Sequence, residues 1–586
     1  MKTLLKYNPT QSVRLLKKVI IALLLLLSFT GHSQSWQWVK RGGSTQNPSN
    51  SNPTSELVRF LETDSNGNIY VTSPVTQFSL NIDGNAKTGY GYTDNVLASF
   101  ACDGTYRWST VIGGPEDNDW LGDIKVDGNG DVYASLSITW GDQFEELFHF
   151  DATTTIPLNF TTQKRLALAK YNGLTGNVIW YKFPQADGLT GLDYFYSNIS
   201  RLIIDTDGTL IILARLIQGA YFNGQFNNTA TGTNNFIIKC NANGDFISAV
   251  QINTEMAFGD YVLEHPFQFL KHPINGKYYI YAGFASFNGI PQTGEQTTKI
   301  VCIAPTGVVE WTKSITAPVF GSYLLETFEI DASGSLYVGG ATQIGNSFGT
   351  YTITGPPSGY EKGFLVKLDP NGTVIWGTNA TVSPANGSQC NVLHVKGNEV
   401  AVSPKWHGIT WGGSYPFVAN SGTDASLYIF DKTTGAFINN TRMSSTGGTE
   451  SFSVIKTDVF NNYVMGGYFN FNIAAGTNNV FSNGGGSDFF VAKYGLNNGN
   501  CALATVAQNE TEKVMLYPNP ATTELFVNTQ EKISYIIYNI LGKKVANGEV
   551  ENTTTPIAIS HLANGNYVIQ IKNTAGEVKK VKFMKL

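Results

Sequence analysis

Aromatic side chains beside carboxylates and amides are the residues of this chain best suited to chemistry, and the chemistry they suit is binding of a sugar or a peptide. They occur in segments such as "GGPEDNDWLGD" and "PKWHGITWGGSY", between stretches of strand-like sequence. Aromatic rings offer a large apolar contact area, and Trp and Tyr add a polar atom that can hydrogen bond. The candidate ligand contacts are Trp120, Trp140, Tyr194, Trp406, His407 and Trp411.

The alternative is that these rings pack loops against the underlying sheets. The sequence "ITWG" occurs twice, once at Trp140 and once at Trp411. Recurrence at two places in a repetitive chain favours a packing role for these two tryptophans. The other candidates carry no such signal.

Catalytic motifs are scarce. The chain has seven histidines, and its sequence contains neither HExxH nor a P-loop. One GxSxG occurs, "GNSFG" at Gly345–Gly349, but a nucleophile elbow must join a strand to a helix, and no helix is predicted there. The sequence therefore predicts no catalytic residue, and an enzyme is the less favoured hypothesis.

No metal or cofactor site is predicted either. Asp-x-x-Gly segments such as "DTDG" at Asp205 lack the further ligands and the terminal Glu of a calcium loop. The sequence contains no CxxC, and its cysteines are too scattered for a disulfide framework. We expect small buried hydrophobic side chains at Cys102, Cys240, Cys302, Cys390 and Cys501.

The elements that must position these residues come from an internal repeat. A unit of the type "DSNGNIYVTS" alternates with a unit of the type "FLVKLDPNGTVIW". Each pair of units supplies four strands, a to d, with Asp/Asn/Gly turns between a and b and between c and d. The first unit occurs seven times, starting at Asp64, Asp127, Asp205, Pro273, Asp331, Val395 and Asp458.

The second unit supplies one d strand too few, because its seventh copy stops early. The stretch "SWQWVKRGG", Ser35–Gly43, is a lone strand, and its Trp38 matches the tryptophans of the d strands. Pairing of this strand with "FFVAKYG", from Phe489, would complete the last sheet and remove the exposed edges. We predict an all-β fold: a seven-bladed β-propeller over residues 34–500, closed by an N-terminal strand. Eight blades or an open arrangement of sheets are the alternatives.

Strand direction sorts the connections onto two faces. Because successive strands alternate in direction, the short a–b and c–d turns share one face, and the b–c and d–a connections, many of them long, share the other. Long loops on a rigid scaffold usually carry function. The aromatic candidates lie in these connections, so we expect any ligand on this long-loop face.

The repeats resemble those of bacterial propellers built from SBBP-type repeats. Units of that family look like "DxxGNIYVTG" followed by "FVAKLDxNGNxxW". The resemblance is at family level, and it is loosest in the fourth and sixth repeats, which lack the starting Asp.

Past residue 500 the pattern changes. A polar linker, residues 501–513, leads to alternating strands and turns over residues 514–586, which predict a small Ig-like β-sandwich. Its distinctive residues are Tyr517, Pro518, Asn519, Pro520, Gly542, Gly565, Tyr567, Lys579, Lys580, Lys582 and Lys585. With these motifs the module resembles the type A C-terminal sorting domain of the type IX secretion system of Gram-negative bacteria.

That resemblance implies a partner and a route. The outer-membrane secretion machinery would recognise the module and translocate the chain, after which the module is usually removed and the passenger is released or linked to surface lipopolysaccharide. The alternative is an ordinary Ig-like module used for binding.

The N-terminus, residues 1–33, predicts a signal peptide. Basic residues through Lys18 precede the apolar run Val19–Phe29, which is too short to span a bilayer. No later segment qualifies as a membrane span, so none is predicted in the mature chain. The net charge of −5 without a basic cluster argues against nucleic acid as a partner. We expect Sec export, then passage through the outer membrane to the cell surface or the exterior.

These observations favour a non-enzymatic exported propeller that binds or adheres to a glycan or a protein. A propeller-fold glycan hydrolase or lyase is the first alternative, and it needs carboxylates or a His/Tyr pair that converge over the channel. A purely structural surface or matrix component is the second. The side chains at the channel mouth discriminate between them: clustered Asp, Glu or His favour the enzyme, and aromatic rings favour binding.

Overall fold

The computed structural model of the chain divides into two compact units, Met1–Ala504 and Thr505–Leu586. Its described residues contain strands and turns, and among them no helix is long and apolar enough to cross a membrane. The predicted signal peptide and linker lie outside the described residues. The structure describes residues 34–45, 56–76, 79–91, 93–115, 119–139, 146–158, 164–184, 197–252, 268–283, 298–317, 324–356, 360–382, 388–404, 409–412, 424–446, 448–484, 486–496, 516–527, 532–539, 543–552, 555–572 and 578–586.

The described strands are numbered in chain order. Those of the first unit are β1 (Ser35–Ser44), β2 (Phe60–Thr63), β3 (Ile69–Thr76), β4 (Ser79–Ile82), β5 (Asn85–Thr88), β6 (Thr93–Phe100), β7 (Tyr106–Ile112), β8 (Trp120–Val126), β9 (Val132–Thr139), β10 (Leu147–His149), β11 (Thr155–Pro157), β12 (Lys164–Tyr171), β13 (Val178–Lys182), β14 (Asn198–Ile204), β15 (Leu210–Tyr221), β16 (Phe226–Cys240), β17 (Phe246–Ile252), β18 (Phe269–Lys271), β19 (Tyr278–Gly283), β20 (Thr298–Ile303), β21 (Val309–Lys313), β22 (Ile315–Thr316), β23 (Leu324–Ile330), β24 (Leu336–Thr342), β25 (Ser347–Phe348), β26 (Tyr351–Thr352), β27 (Lys362–Leu368), β28 (Val374–Val382), β29 (Cys390–Lys396), β30 (Glu399–Pro404), β31 (Thr410–Trp411), β32 (Ser426–Asp431), β33 (Phe437–Arg442), β34 (Glu450–Thr457), β35 (Tyr463–Phe469), β36 (Asn472–Ala475), β37 (Asn478–Phe481) and β38 (Asp488–Gly495). Those of the second unit are β39 (Leu516–Tyr517), β40 (Glu524–Val527), β41 (Ile533–Asn539), β42 (Lys544–Val550), β43 (Ile557–Ala558), β44 (Gly565–Lys572) and β45 (Val578–Lys585).

The first unit is built on antiparallel sheets whose strands follow the order a-b-c-d. In chain order, and numbered from 1 to 7, these sheets are β2-β3-β6-β7, β8-β9-β12-β13, β14-β15-β16-β17, β18-β19-β20-β21, β23-β24-β27-β28, β29-β30-β32-β33 and β34-β35-β38-β1. In sheet 7 the outer strand comes from the other end of the unit: Trp38 pairs with Lys493, and Val39 with Ala492. Short hairpins such as β4-β5 and β36-β37 decorate this framework.

Adjacent sheets pack face to face, with their first strands side by side. Strand β8 contacts both β2 and β14, and β34 contacts both β29 and β2. Separate apolar cores fill the spaces between adjacent sheets: Leu97 and Trp108 of sheet 1 meet Ile124 and Ala167 of sheet 2, for example. A core of the same kind lies between sheets 7 and 1 and includes Trp38. Strands buried on both faces and arranged about converging first strands make the unit β-propeller-like.

The a–b turns are capped by their own first residue. In sheet 1 the carboxylate of Asp64 accepts hydrogen bonds from the backbone N–H groups of Asn66 (2.8 Å) and Asn68 (2.9 Å), and the Tyr70 hydroxyl donates to it (3.0 Å). In sheet 5, Asp331 and Tyr337 repeat this arrangement. The Asp of these turns therefore stabilises turn geometry, as short side chains that bond back to the backbone do.

Tryptophans in five of the d strands join their sheet to the next one. The Trp108 indole N–H donates to the Gly173 carbonyl (3.0 Å) in the c–d turn of sheet 2. The ring lies so close to Gly176 of that turn that a Cβ there would stand 2.4 Å from it. Trp38 makes the same contacts with sheet 1, where its N–H donates to the Cys102 carbonyl (3.2 Å). We call these contacts Trp–turn joints; others are made by Trp180, Trp311 and Trp376.

One expectation about the cysteines was wrong. Cys240, Cys302 and Cys390 are free and buried, as expected, but Cys102 is disulfide-bonded. Nothing near Cys102 in the sequence indicates this, because a disulfide partner is chosen by spatial proximity and not by spacing along the chain. Cys501 lies outside the described residues.

The second unit contains two sheets that share one core. Their orders are β39-β40-β43 and β42-β41-β44-β45. Leu525 and Ile557 of the first sheet belong to the same apolar cluster as Ile537, Ile569 and Phe583 of the second. The alternating pattern of the sequence places these residues inward, because successive side chains of a strand point to opposite faces.

Candidate functional site

Within the described residues, the first strands of the numbered sheets, which we call the inner strands, carry a set of mostly ionisable residues at one repeat position. The position lies two residues before the start of each a–b turn. In a repeat it should hold similar residues, yet here acids, bases and apolar residues alternate. We call the set the channel belt; its members, in sheet order, are Glu62, Lys125, Ile203, Leu270, Glu329, His394 and Lys456.

Ion pairs connect the belt across sheet boundaries. The Lys125 ammonium lies 2.7 Å from Glu62 of the preceding sheet and 3.2 Å from Asp123, and Lys456 approaches Glu62 from the other side at 3.8 Å. Burial alone would raise the pKa of Glu62, but the charges of Lys125 and Lys456 hold it below its ordinary value. Burial likewise acts to lower the pKa of Lys125, and Asp123 and Glu62 raise it. Both groups are therefore charged at neutral pH.

A histidine is held between a carboxylate and a hydroxyl in the same belt. His394 Nδ1 lies 2.9 Å from Glu329 Oε1, and Nε2 lies 2.5 Å from the Thr457 hydroxyl. The other oxygen of Glu329 accepts a hydrogen bond from the Val395 N–H at 2.7 Å. A carboxylate that orients a histidine toward a hydroxyl is the arrangement that activates nucleophiles in many enzymes. Three adjacent inner strands supply these groups.

Two arginines lie on aromatic rings at the long-loop end of the inner strands. The guanidinium carbon of Arg59 is 3.9 Å from the centre of the Trp120 ring, and that of Arg201 is 5.1 Å from the centre of the Phe60 ring. Arg201 also donates to the Gly122 carbonyl (2.7 Å). Burial and the charge of Arg201 lower the pKa of Arg59 to about 10. We call these two arginines and two rings the arginine mouth.

The aromatic candidates have different environments. Trp120 begins strand β8, is half-buried, and belongs to the arginine mouth. Trp411 is fully buried, donates to the Thr378 hydroxyl (3.2 Å) and packs on Phe430. This is the packing role that the repeated ITWG favours and not a ligand contact, because β31 pairs with β28 and places the ring between sheets 5 and 6. The candidates Trp140, Tyr194, Trp406 and His407 lie outside the described residues.

The N-terminal motif residues of the second unit are tied to its last strand. Tyr517 is half-exposed and stacks on Phe526, and the Asn519 side chain accepts a hydrogen bond from the Met584 N–H (2.9 Å). Pro518 and Pro520 both follow cis peptide bonds. The entry segment and the end of the chain are therefore held together.

The remaining motif residues fall in or near the β44–β45 pair. Gly565 pairs with Lys585, and buried Tyr567 stacks on Phe583. Lys585 is only 7% exposed, so most of its side chain is buried in the module. Lys579, Lys580 and Lys582 lie in β45, whose backbone is described; Gly542 lies outside the described residues.

Sequence reasoning missed both the channel belt and the arginine mouth. Glu329, His394 and Thr457 are 65 and 63 residues apart along the chain, so no local motif contains two of them. A signal was available in the repeat alignment, where the position two residues before each a–b turn holds charged residues in most copies. Arg59 and Arg201 give no signal of this kind.

Comparison with known proteins identifies the C-terminal residues. Residues 515–585 match the model of the secretion system C-terminal sorting domain. No curated protein sequence matches the chain.

Several solved structures share a low overall likeness with the chain. A quinohemoprotein alcohol dehydrogenase, ADHIIG from Pseudomonas putida HK5, is 12% identical over 84% of this chain and 79% of its own, with a TM-score of 0.33. An ulvan lyase of polysaccharide lyase family PL25 is 10% identical over 78% of this chain and 97% of its own, with a TM-score of 0.37. BamB from Moraxella catarrhalis is 11% identical over 79% of this chain and 100% of its own, with a TM-score of 0.28. At these scores the activities of the three proteins do not transfer to this chain.

The match over residues 515–585 confirms the C-terminal resemblance. The buried Tyr567 and the Asn519 contact are therefore structural features of a sorting domain. A module of this family directs its passenger through the type IX secretion system. The chain therefore ends in a type IX sorting domain, which marks it for export to the cell surface or the extracellular space.

Proposed function

We propose that the protein is a non-enzymatic binding or adhesion module, a seven-bladed β-propeller that Sec and the type IX system deliver to the cell surface or beyond, and that it holds a glycan or a protein at its long-loop face. The proposal includes a signal peptide over residues 1–33, a propeller of SBBP-like repeats over residues 34–500, and a linker before the sorting domain. The arginine mouth is the observation that carries the binding role, because it places two cations and two aromatic rings at one end of the inner strands.

A ring of sheets is supported by contacts that repeat at five of the boundaries between the described sheets. Trp38 of β1 forms the same Trp–turn joint with sheet 1 that Trp108 forms with sheet 2. The Lys493 ammonium, from the strand that pairs with β1, donates to the same Cys102 carbonyl at 2.9 Å. Sheets 7 and 1 thus meet through the contacts that join other neighbours.

The chemistry of the channel belt supports binding over catalysis. A general acid must be protonated near neutral pH, which requires a raised pKa, yet lysine charges lower the pKa of Glu62. A carboxylate paired with lysines on both sides is suited to hold the inner strands in register. It is poorly suited to exchange a proton with a substrate.

A glycan array probed with the purified mature chain tests the proposed function. We expect retention of a restricted set of glycans, with weaker retention after Trp120→Ala. Capture of a protein partner without any glycan would remove the carbohydrate version of the proposal. Absence of both would favour a purely structural surface component.

The Glu329–His394–Thr457 arrangement favours one alternative, a glycan hydrolase or lyase. A histidine held at 2.9 Å and 2.5 Å between a carboxylate and a hydroxyl can act as a general base. The test is release of reducing ends or unsaturated products from bound glycans. If the protein forms such products and His394→Asn abolishes their formation, the protein is an enzyme. If no product forms while glycans still bind, the binding role stands.

A further inference from the structure

Three described turns share one backbone geometry and differ in the side chain that caps them. In each, the N–H of the first residue donates to the carbonyl five residues later, and its carbonyl accepts a hydrogen bond from the glycine N–H four residues later. The first residue is Asn172 in the c–d turn of sheet 2, Asp431 in the c–d turn of sheet 6 and His272 in the a–b turn of sheet 4. The effect of the capping group can therefore be compared on one type of turn.

The caps accept hydrogen bonds from equivalent backbone groups. The side-chain Oδ1 of Asn172 accepts from the N–H groups two and three residues later, at 2.9 and 3.1 Å, and that of Asp431 does so at 3.0 and 2.8 Å. In sheet 4 the acceptor is His272 Nδ1, which lies 3.1 Å from the Ile274 nitrogen and 3.3 Å from the Asn275 nitrogen. An imidazole nitrogen accepts hydrogen bonds only while it carries no proton. The cap of sheet 4 therefore requires neutral His272 with its proton on Nε2.

The ring of His272 is enclosed on its other side as well. His272 is 3% exposed, and its Nε2 has no hydrogen-bond partner among the described residues. Nε2 lies against the a–b turn of sheet 5, where a Cβ on Gly334 would stand 2.0 Å from it. The centre of the Tyr279 ring is 6.2 Å from that of the imidazole. A ring so enclosed cannot bring a protonated Nδ1 to solvent without moving away from one of its neighbours.

The charged groups that face His272 leave its neutral form favoured at neutral pH. Burial and then the charge of Lys277 lower the pKa of His272, and the charge of Asp331, in the neighbouring turn of sheet 5, acts in the opposite direction. The Lys277 ammonium is paired with Glu310 at 2.5 Å. Asp331 accepts a hydrogen bond from the Tyr337 hydroxyl at 3.1 Å. A base whose pKa is lower in the folded state stabilises the fold above its ordinary pKa of about 6.5, and this contribution is lost as pH falls below that value.

We propose that His272 makes the a–b turn of sheet 4 an acid-sensitive element of the fold: a proton taken up from solvent at Nδ1 displaces both backbone N–H groups and releases the turn. The equivalent turns at Asn172 and Asp431 stay closed. The Asn172 amide does not titrate, and hydrogen bonds from Thr434 lower the pKa of Asp431, so that this carboxylate stays ionised at mildly acidic pH. The inference concerns the scaffold and does not depend on what the long-loop face binds.

Release of this turn acts on the boundary between sheets 4 and 5. His272 contacts sheet 5 at Gly334. Tyr279, which packs near the imidazole, donates its hydroxyl to the Pro370 carbonyl of sheet 5 at 3.3 Å. Trp311 lies 5.7 Å from the Tyr279 ring and makes the Trp–turn joint of the same boundary. We therefore expect acid to loosen this boundary before those whose turns are capped by Asp or Asn.

Hydrogen exchange of the full mature chain, followed by mass spectrometry from about pH 7 to about pH 4, tests the proposal. After correction for the intrinsic effect of pH on exchange, protection of the wild-type turn over residues 272–277 should fall by up to about tenfold for each pH unit below about 6.5. The turn over residues 172–177 should keep its protection in the same samples, because its amide cap does not titrate.

Two variants replace the histidine by the caps of the equivalent turns. His272→Asn copies Asn172, and His272→Asp copies Asp431. Either variant should abolish the acid response of residues 272–277, which keeps the test decisive if one of them perturbs folding. His149→Asn is the matched control. Burial lowers the pKa of His149 as well, but its Nδ1 has no hydrogen-bond partner within the described part of the chain, so the turn in this variant should respond to acid as in the wild type.

Two results would overturn the proposal. One is a wild-type turn whose protection stays constant from about pH 7 to about pH 4. The other is an acid response that persists in both His272→Asn and His272→Asp, because another group would then cause it. Either result leaves the proposed binding function standing, which the glycan array tests separately.

Discussion

At the outer edge of the sheets, Trp38, Trp108 and Trp376 each donate an indole hydrogen bond to a carbonyl in a c–d turn of the next sheet, at 3.0–3.2 Å. On the inner strands one repeat position holds Glu62 in one sheet and Lys125 in the next. Both regions recur with the repeat, but the outer position keeps its tryptophan in five sheets, whereas the inner position changes between acidic, basic and apolar residues. Repetition therefore serves packing, and variation at one repeat position makes the inner strands chemically different from sheet to sheet.

The two regions also differ in how they contribute to stability. The Trp–turn joints bury large aromatic surfaces, whose contribution grows with the area removed from water. The belt ion pairs must offset the cost of desolvating charges, so their net contribution is small unless a partner is removed. The next four experiments test this difference, from the largest expected effect to the smallest.

Removal of a joint tryptophan should have the largest effect. Trp38→Ala and Trp108→Ala should each lower the free energy of unfolding by about 3–5 kcal/mol, because both rings are buried and a cavity would remain. Urea titration monitored by circular dichroism measures the loss. A much smaller effect for Trp38 than for Trp108 would contradict the equivalence of the sheet 7–sheet 1 boundary with the others.

Two turn glycines provide a matched pair of variants that tests how tightly a Trp–turn joint is packed. Gly176 and Gly208 have φ angles of +76° and +84°, but a Cβ at Gly176 would stand 2.4 Å from Trp108, while one at Gly208 would meet nothing within 4 Å. Gly208→Ala should cost about 1–2 kcal/mol from backbone strain alone. Gly176→Ala should cost about 1–3 kcal/mol more, because it disturbs the joint. Equal losses in urea titration would argue against tight packing there.

A buried acid at the start of β38 in sheet 7, Asp488, should make stability depend on pH. Burial, with a smaller contribution from Glu56, raises the pKa of Asp488 to about 7. A carboxyl whose pKa is higher in the folded state stabilises the fold at low pH, and this contribution is lost as pH rises through about 7. Stability should therefore fall from pH 5 to pH 8 with a slope of at most about 1.4 kcal/mol per pH unit from this group.

Asp488→Asn should remove that slope. The control is Asp207→Asn, because hydrogen bonds from Thr209 lower the pKa of Asp207, and a group with a lowered pKa titrates below this pH range. If the stabilities of the wild type and Asp488→Asn change equally from pH 5 to pH 8, Asp488 does not titrate in this range.

Removal of one belt charge should have the smallest effect on stability. Lys456 is 3.8 Å from Glu62 and its side chain is 36% exposed, so Lys456→Gln should change the free energy of unfolding by less than about 1 kcal/mol. Urea titration of Lys456→Gln and Trp108→Ala under the same conditions compares their losses in the free energy of unfolding. A loss as large as that of the tryptophan variant would remove the distinction between the two regions.

The features that recur with the repeat could be predicted from the sequence, and the features that occur only once could not. The match of Trp38 to the d-strand tryptophans was visible because their turns and spacing recur, and the structure gives Trp38 the same type of contact. The ion pair of Glu62 with Lys125 was not visible, since it depends on how adjacent sheets place two different residues. The pairing of β31 with β28, which sets the neighbours of Trp411, was not visible for the same reason.

The pairing of β1 with β38 has a consequence for how the first unit folds. Gln37 donates a hydrogen bond to the Leu496 carbonyl, 459 residues further along the chain. Apart from Gly42–Ser44, which pair with β4, strand β1 must therefore wait without a strand partner until β38 has been made, and closing so long a loop costs entropy that only the completed contacts repay. Nascent chains that stop before Gly495 keep a free aromatic strand and an open sheet edge, which are features that chaperones and proteases can recognise.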